Sequence, residues 1–319
     1  MFLLKVEVKV LHYGNEKCTR PVGIWVAEST NIVNNISMIS ASRLVIFTGI
    51  LFCAGCGHLF YHPTDQFYYD PVEAGYAKPE EIDFDSKDGS PIWGWFFKAQ
   101  GKKAPKGTVI QFHGNGQNLT AHYLYLAWLT REGYHLFAFD YRGYGKAPGK
   151  PGQEGTYLDG IAALEKAWAL HQKYSPKGKF IVVGQSLGGA IAMRAVGDFS
   201  KTHKVDRLVL DSTFMNYRSL AVKFAAREWY LWPFLWIPWV GVSNSYGAQE
   251  QLEANGIPLL VTHDRRDPII PFSCGENIFK DAKSPKEFWK FDQERHTGAF
   301  AEVNKWDRSY FLDWLERAE

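Results

Sequence analysis

From residue 81 onward, short runs of β-branched, aromatic and aliphatic residues alternate with longer stretches patterned for helices. That order is the strongest constraint on the fold. A strand followed by a helix and another strand returns the chain to a parallel neighbour, so the repeat specifies a mostly parallel sheet with helices on both faces. Ile82–Phe84 and Pro91–Phe97, joined at Asp88-Gly89, read as an opening hairpin that adds an antiparallel edge. Strands are then expected at Thr108–Phe112, His135–Phe139, Phe180–Val183, Arg207–Leu210, Pro258–Val261 and Phe288–Phe291. Helices are expected over 118–132, 155–174, 187–199 and 299–315. The chain of 319 residues is 46% hydrophobic and 22% charged, which excludes a disordered chain. A formal charge of only +2 argues against a nucleic-acid-binding surface, and four cysteines do not make a disulfide scaffold at this length.

One stretch breaks the alternation. Residues 214–248 hold Trp229, Trp232, Trp236 and Trp239, and Pro233 and Pro238 forbid one continuous helix. A segment this long between two strands reads as an inserted cap. Its tryptophans are expected to bind substrate by lining an acyl pocket (Trp229, Trp232, Trp236) or to touch a membrane. The competing reading is a buried aromatic cluster that packs the insert.

Gly184-Gln185-Ser186-Leu187-Gly188 matches G-x-S-x-G between an expected strand and an expected helix. That context suits a nucleophile elbow, in which a sharp turn lifts the Ser186 hydroxyl above the sheet and small flanking residues let the two backbones approach. His113-Gly114-Asn115-Gly116 closes an earlier strand, where such a site draws one oxyanion-hole amide; Asn115 is the expected donor, with Leu187 as the second. His113 reads as structural. Asp267 lies in the loop after Pro258–Val261 and His296 in the loop after Phe288–Phe291, which completes the order Ser186, Asp267, His296. Asp264 and Asp211 are the alternative acids. No Cys/His spacing suits zinc and no glycine run forms a P-loop, so no metal or cofactor is expected.

On these residues the chain resembles the α/β-hydrolase superfamily over roughly residues 66–319. It is most similar to a subgroup of membrane-anchored serine hydrolases with a His-Gly-Asn start. Phe139-Asp140-Tyr141-Arg142-Gly143-Tyr144-Gly145 resembles a loop of that subgroup, with Arg142 expected in a structural ion pair. The resemblance implies a serine hydrolase acting through Ser186, His296 and Asp267; the aromatic insert and the lipid anchor favour an apolar acyl ester as substrate, and a monomer is expected. A peptidase or thioesterase of the same fold, and a non-catalytic binding lipoprotein, are the other readings.

The first sixty residues differ in character. Met38, Arg43, the uncharged run Leu44–Phe52 and Cys53-Ala54-Gly55-Cys56 have signal architecture. Ala54-Gly55 before Cys56 resembles a bacterial lipoprotein box, although Cys53 stands where an aliphatic residue is usual. Residues 38–55 are therefore expected to be a signal peptide, residues 56–319 the hydrolase domain, and residues 1–37 an upstream extension. Cys56 is the expected lipidation site. The resemblance places the protein in the cell envelope, at the outer membrane in a Gram-negative source because Gly57 follows the cysteine. An uncleaved signal anchor is the alternative, but the uncharged run is shorter than the roughly 20 residues of a membrane span. Five basic and three acidic residues precede Cys56, so the remainder carries no net charge.

Overall fold

The computed structural model describes residues 60–248, 256–301 and 305–317. The possible extension, the signal region and Cys56 lie outside the described residues. The described chain forms an eight-stranded sheet in the order β1-β2-β4-β3-β5-β6-β7-β8. Its strands are β1 (Glu80–Asp85), β2 (Pro91–Phe97), β3 (Gly107–Phe112), β4 (Tyr134–Asp140), β5 (Lys179–Gln185), β6 (Arg207–Asp211), β7 (Leu259–Asp264) and β8 (Lys286–Phe291). Only the β1–β2 and β2–β4 pairs are antiparallel. The expected hairpin edge and parallel centre are both present, in the α/β-hydrolase fold.

Alternation along the strands divides the core into two layers. Ile110, Phe112, Phe137, Phe139 and Val182 point to one face, packed under α2 (Gln153–Tyr174) and α3 (Leu187–Phe199). Val109, Leu136, Ala138, Ile181 and Val183 point to the other, with Tyr123, Trp128, Phe311 and Leu315. Phe311 and Leu315 belong to the last helix, Lys305–Glu316.

Three expectations on secondary structure need correction. Residues 118–132 do not form one helix. They form α1 (Leu119–His122) and two 3₁₀ turns, Tyr123–Tyr125 and Ala127–Thr130. Leu119, Tyr123, Leu126, Trp128 and Leu129 are all buried, so the segment has no solvent stripe to set a helical period. The Trp128 indole N–H also donates to the Tyr125 and Phe300 carbonyls, which ties the segment to distant chain. Second, β7 runs on through His263 and Asp264, which the sequence placed beyond its end. Third, an unexpected helix, Phe272–Asp281, follows β7 directly after Pro271.

The cap between β6 and β7 contains α4 (Tyr217–Arg227), a 3₁₀ segment Trp229–Phe234 that includes Pro233, and the short helix α5 (Trp236–Gly241). By chain order the helices Phe272–Asp281 and Lys305–Glu316 are α6 and α7. Among the described residues, no helix is long and apolar enough to cross a membrane.

Candidate active site

The carboxyl ends of β3, β5, β7 and β8 converge on one edge of the sheet, where open α/β sheets hold their ligands. β5 ends at Gln185 and α3 begins at Leu187, leaving Ser186 as the single residue of the turn. Its backbone sits at φ 52°, ψ −121°, a conformation that L-residues rarely adopt. The turn needs very close backbone approach. A Cβ on Gly188 would lie 2.2 Å from the Phe112 carbonyl oxygen, and one on Gly184 would lie 2.6 Å from the Gly189 Cα. Glycine is required at both positions for steric reasons, and the Ser186 N–H donates to the Asp211 carbonyl at 2.9 Å.

Three predicted residues form one line. His296 Nε2 is 2.9 Å from Ser186 Oγ, and His296 Nδ1 is 2.8 Å from Asp267 Oδ2. The Asp267 side chain is fully buried. Its Oδ1 also accepts the Ile269 and Ile270 N–H groups at 2.8 and 2.9 Å, which fixes the carboxylate against the ring. The two alternative acids are committed elsewhere. Asp264 accepts the N–H groups of Arg266 and Gln293, and Asp211 accepts from Thr262 Oγ1 and Gln185 Nε2. His263 stands on the far side of Asp267, with Nε2 3.0 Å from the Ile270 carbonyl and 3.5 Å from Asp267 Oδ2. Burial lowers its pKa and keeps it neutral beside the carboxylate.

The His113–Gly116 loop passes against the serine: a Cβ on Gly114 would meet the Ser186 Cβ at 3.4 Å. The Asn115 carboxamide oxygen accepts from the His62 N–H, the Gly116 N–H and the Tyr144 hydroxyl at 2.6–2.9 Å. Its side chain is thus a loop clamp. The Leu187 N–H belongs to the first turn of α3, where helix donors lack intrahelical partners. His113 is buried between Asp140 (Nε2–Oδ1 3.3 Å) and its neighbours His122 and Tyr141, in the structural place expected of it. Arg142 is also as expected. It makes a forked contact with the buried Asp159 and reaches Asp88, and these partners raise its pKa.

Several contributors carried no signal as isolated residues. Thr213 Oγ1 donates to the Ser186 carbonyl at 2.5 Å, at the point where the cap leaves β6. Ser212, at φ 52°, accepts the Thr297 N–H and so holds the loop of His296. Gln111 and Gln185 bond to each other beneath the site. A glutamine inside an otherwise apolar strand was the available clue.

The predicted substrate residues Trp229, Trp232 and Trp236 do not join this cluster in a buried pocket. All three are exposed, as is Trp239, and Trp229 retains 76% of its accessible surface. The buried-cluster reading of the insert is therefore overturned. The cap is nonetheless tied to the site, because Arg227 donates to the carbonyls of Pro268 and Ile269, just past Asp267. Among the described residues, no group of His, Cys, Asp or Glu could hold a metal ion.

The family described as "Serine aminopeptidase, S33" matches residues 103–247. The uncharacterized protein YfhR of Salmonella typhimurium is 31% identical over 253 residues, 76% of this chain and 81% of that protein. The lysophosphatidylserine lipase ABHD12 of Mus musculus is 27% identical over 217 residues; the match covers 62% of this chain and 53% of the lipase. Among solved structures, the Pyrococcus furiosus esterase Pf2001 superposes with a TM-score of 0.60 at 22% identity, covering 81% of this chain and 98% of that one. At that identity the esterase shares the fold. The sheet order, the elbow at Ser186 and a relative 31% identical over 76% of the chain lead to one conclusion: the chain is an α/β-hydrolase of the family that includes YfhR.

Proposed function

We propose that the protein is a serine hydrolase that cleaves carboxylic esters of apolar acyl groups through an acyl-enzyme on Ser186. The observation that carries this is His296, hydrogen-bonded to Ser186 Oγ through one ring nitrogen and to Asp267 through the other. In this reading His296 Nε2 takes the Ser186 proton as the hydroxyl attacks the ester carbonyl. Asp267 holds the Nδ1–H tautomer and stabilises the imidazolium. The N–H groups of Leu187 and Asn115 receive the oxyanion, where one such donor is worth about 3–4 kcal/mol. His296 then protonates the departing alkoxide. Water enters, gives its proton to the same nitrogen, and releases the acid and the free serine. The chemistry requires no cofactor.

An ester is favoured over other acyl compounds by the esterase and lipase names among its relatives, and an apolar acyl group by the aromatic cap tied to the acid loop. The name of the matched family, a serine aminopeptidase, favours a peptide as the second reading. A fluorophosphonate probe should label the wild type and fail to label Ser186→Ala, and p-nitrophenyl esters of increasing chain length should be turned over by the wild type alone. A folded wild type that is not labelled would overturn the serine-hydrolase reading. Labelling with turnover of peptide amides, and none of esters, would transfer the assignment to a peptidase.

A further inference from the structure

The cap carries an apolar surface that hydrolysis at Ser186 does not explain. From Trp229 to Gln249 the chain contains no charged residue. Within that stretch Trp229, Trp232, Trp236, Trp239, Phe234 and Val240 are all exposed. A large exposed aromatic patch has a high cost in water unless something covers it. Tryptophan in particular suits a boundary that is apolar on one side and wet on the other. The indole of Trp232 already has its N–H satisfied by the Ala226 carbonyl, so its apolar ring faces outward without a stranded donor. Basic residues border the patch: Arg218, whose guanidinium lies 5.6 Å over the Trp239 ring, and exposed Arg227 at the end of the same helix, followed by the acid Glu228. An aromatic surface with a cationic fringe is complementary to a lipid headgroup layer, anionic lipids most of all.

A second observation concerns where the described chain enters the fold. Phe60, the first described residue, is buried against Phe214 and Tyr217 at the base of the cap, with ring centroids 6.3 and 5.3 Å apart. Cys56, the expected lipid site, lies four residues earlier. Four residues of chain reach at most ~14 Å. The described chain thus begins at the base of the cap.

We propose that the exposed face of residues 229–240 docks into the headgroup region of a phospholipid bilayer and holds the cap and the Asp267 loop against the membrane. Exposed Ile269, two residues past Asp267 and bonded through its carbonyl to Arg227, continues the patch to the catalytic edge. A substrate entering under the cap would then come from the lipid phase. The docking does not depend on the chemistry at Ser186.

The test uses the full chain mixed with phosphatidylcholine–phosphatidylglycerol vesicles, made with either ordinary or brominated acyl chains. Bromine quenches tryptophan emission only on close approach. The wild type should lose emission on brominated vesicles relative to ordinary ones, and Ser186→Ala should do the same. Phe234→Asp/Val240→Asp keeps every tryptophan as a reporter but charges the patch at two exposed positions. It should lose the quenching, even where residues 38–56 keep it sedimenting with the vesicles. Circular dichroism matching the wild type verifies its fold. Equal wild-type emission on both vesicle types, or undiminished quenching of the charged variant, would overturn the proposal. So would a concentration-dependent dimer that the charged variant dissociates while vesicles leave the emission unchanged, since the patch would then belong to a second copy of the chain.

Discussion

At the scale of single residues, the loop beside Ser186 packs against a buried histidine that burial keeps neutral. His122 lies buried next to His113, with Nε2 3.2 Å from the Gly116 carbonyl on the loop beside Ser186. Burial, reinforced by the neighbouring His113, lowers its pKa from 6.5 to about 3. The unfolded chain therefore takes up this proton first as pH falls. The contribution of His122 to stability is complete above about pH 6.5 and is lost progressively toward pH 3, at up to ~1.4 kcal/mol per pH unit. Between pH 7 and pH 5 this single group should cost the fold about 2 kcal/mol. His122→Gln retains a donor for Gly116 and cannot titrate, so urea unfolding at the two pH values should show a correspondingly smaller difference. An unchanged difference would mean that His122 is protonated in the fold.

At the scale of elements, the elbow joins three pieces of chain: the end of β3, the end of β5 and the start of α3. Gly188 is where they meet, since a Cβ there would lie 2.2 and 2.3 Å from the carbonyl oxygens of Phe112 and His113. Backbone on both sides leaves no flexible side chain to yield. Gly188→Ala should therefore destabilise the protein by about 1–3 kcal/mol or more and move the His113–Gly116 loop off the serine. Thermal melting reads the first effect and the rate of fluorophosphonate labelling the second. Retention of wild-type labelling would show that the loop need not sit this close to Ser186. The same junction explains how much of the site was legible in the sequence. The glycines, the serine and their place between a strand and a helix are local, so the pattern sufficed. The clamp on Asn115 by His62 and Tyr144 is not local, since those residues lie 53 and 29 positions away in the chain.

At the scale of the whole molecule, the two core layers connect the site to the end of the chain. His296 is followed by Phe300, whose ring stacks on Phe311 of α7 with centroids 3.9 Å apart, and whose carbonyl accepts the Trp128 indole N–H at 2.7 Å. The loop that carries the proposed base is thus held in place by the last helix. Phe311→Ala should cost about 3–5 kcal/mol as a large buried ring is lost. It should also slow labelling of Ser186 under conditions where the protein remains folded, because the His296 loop loses its support. Denaturant unfolding and labelling kinetics separate the two effects. A destabilised variant with wild-type labelling would show that the loop is held by Ser212 and Trp128 alone.

The sequence by itself determined the succession of strands, the parallel sheet with its hairpin edge, and the spacing that brings Ser186, Asp267 and His296 to one edge of it. These follow from periodicity and from turns, which act over a few residues. It favoured Asp267 as the acid but could not exclude Asp211 and Asp264, which also stand near strand ends. Only the tertiary structure, by committing two of them to backbone and side-chain donors, left Asp267 facing His296. Nor could it tell an inward tryptophan from an outward one. In the cap, prolines and short helical turns remove the period that reveals a buried face, and exposure there depends on which distant elements come to lie against it.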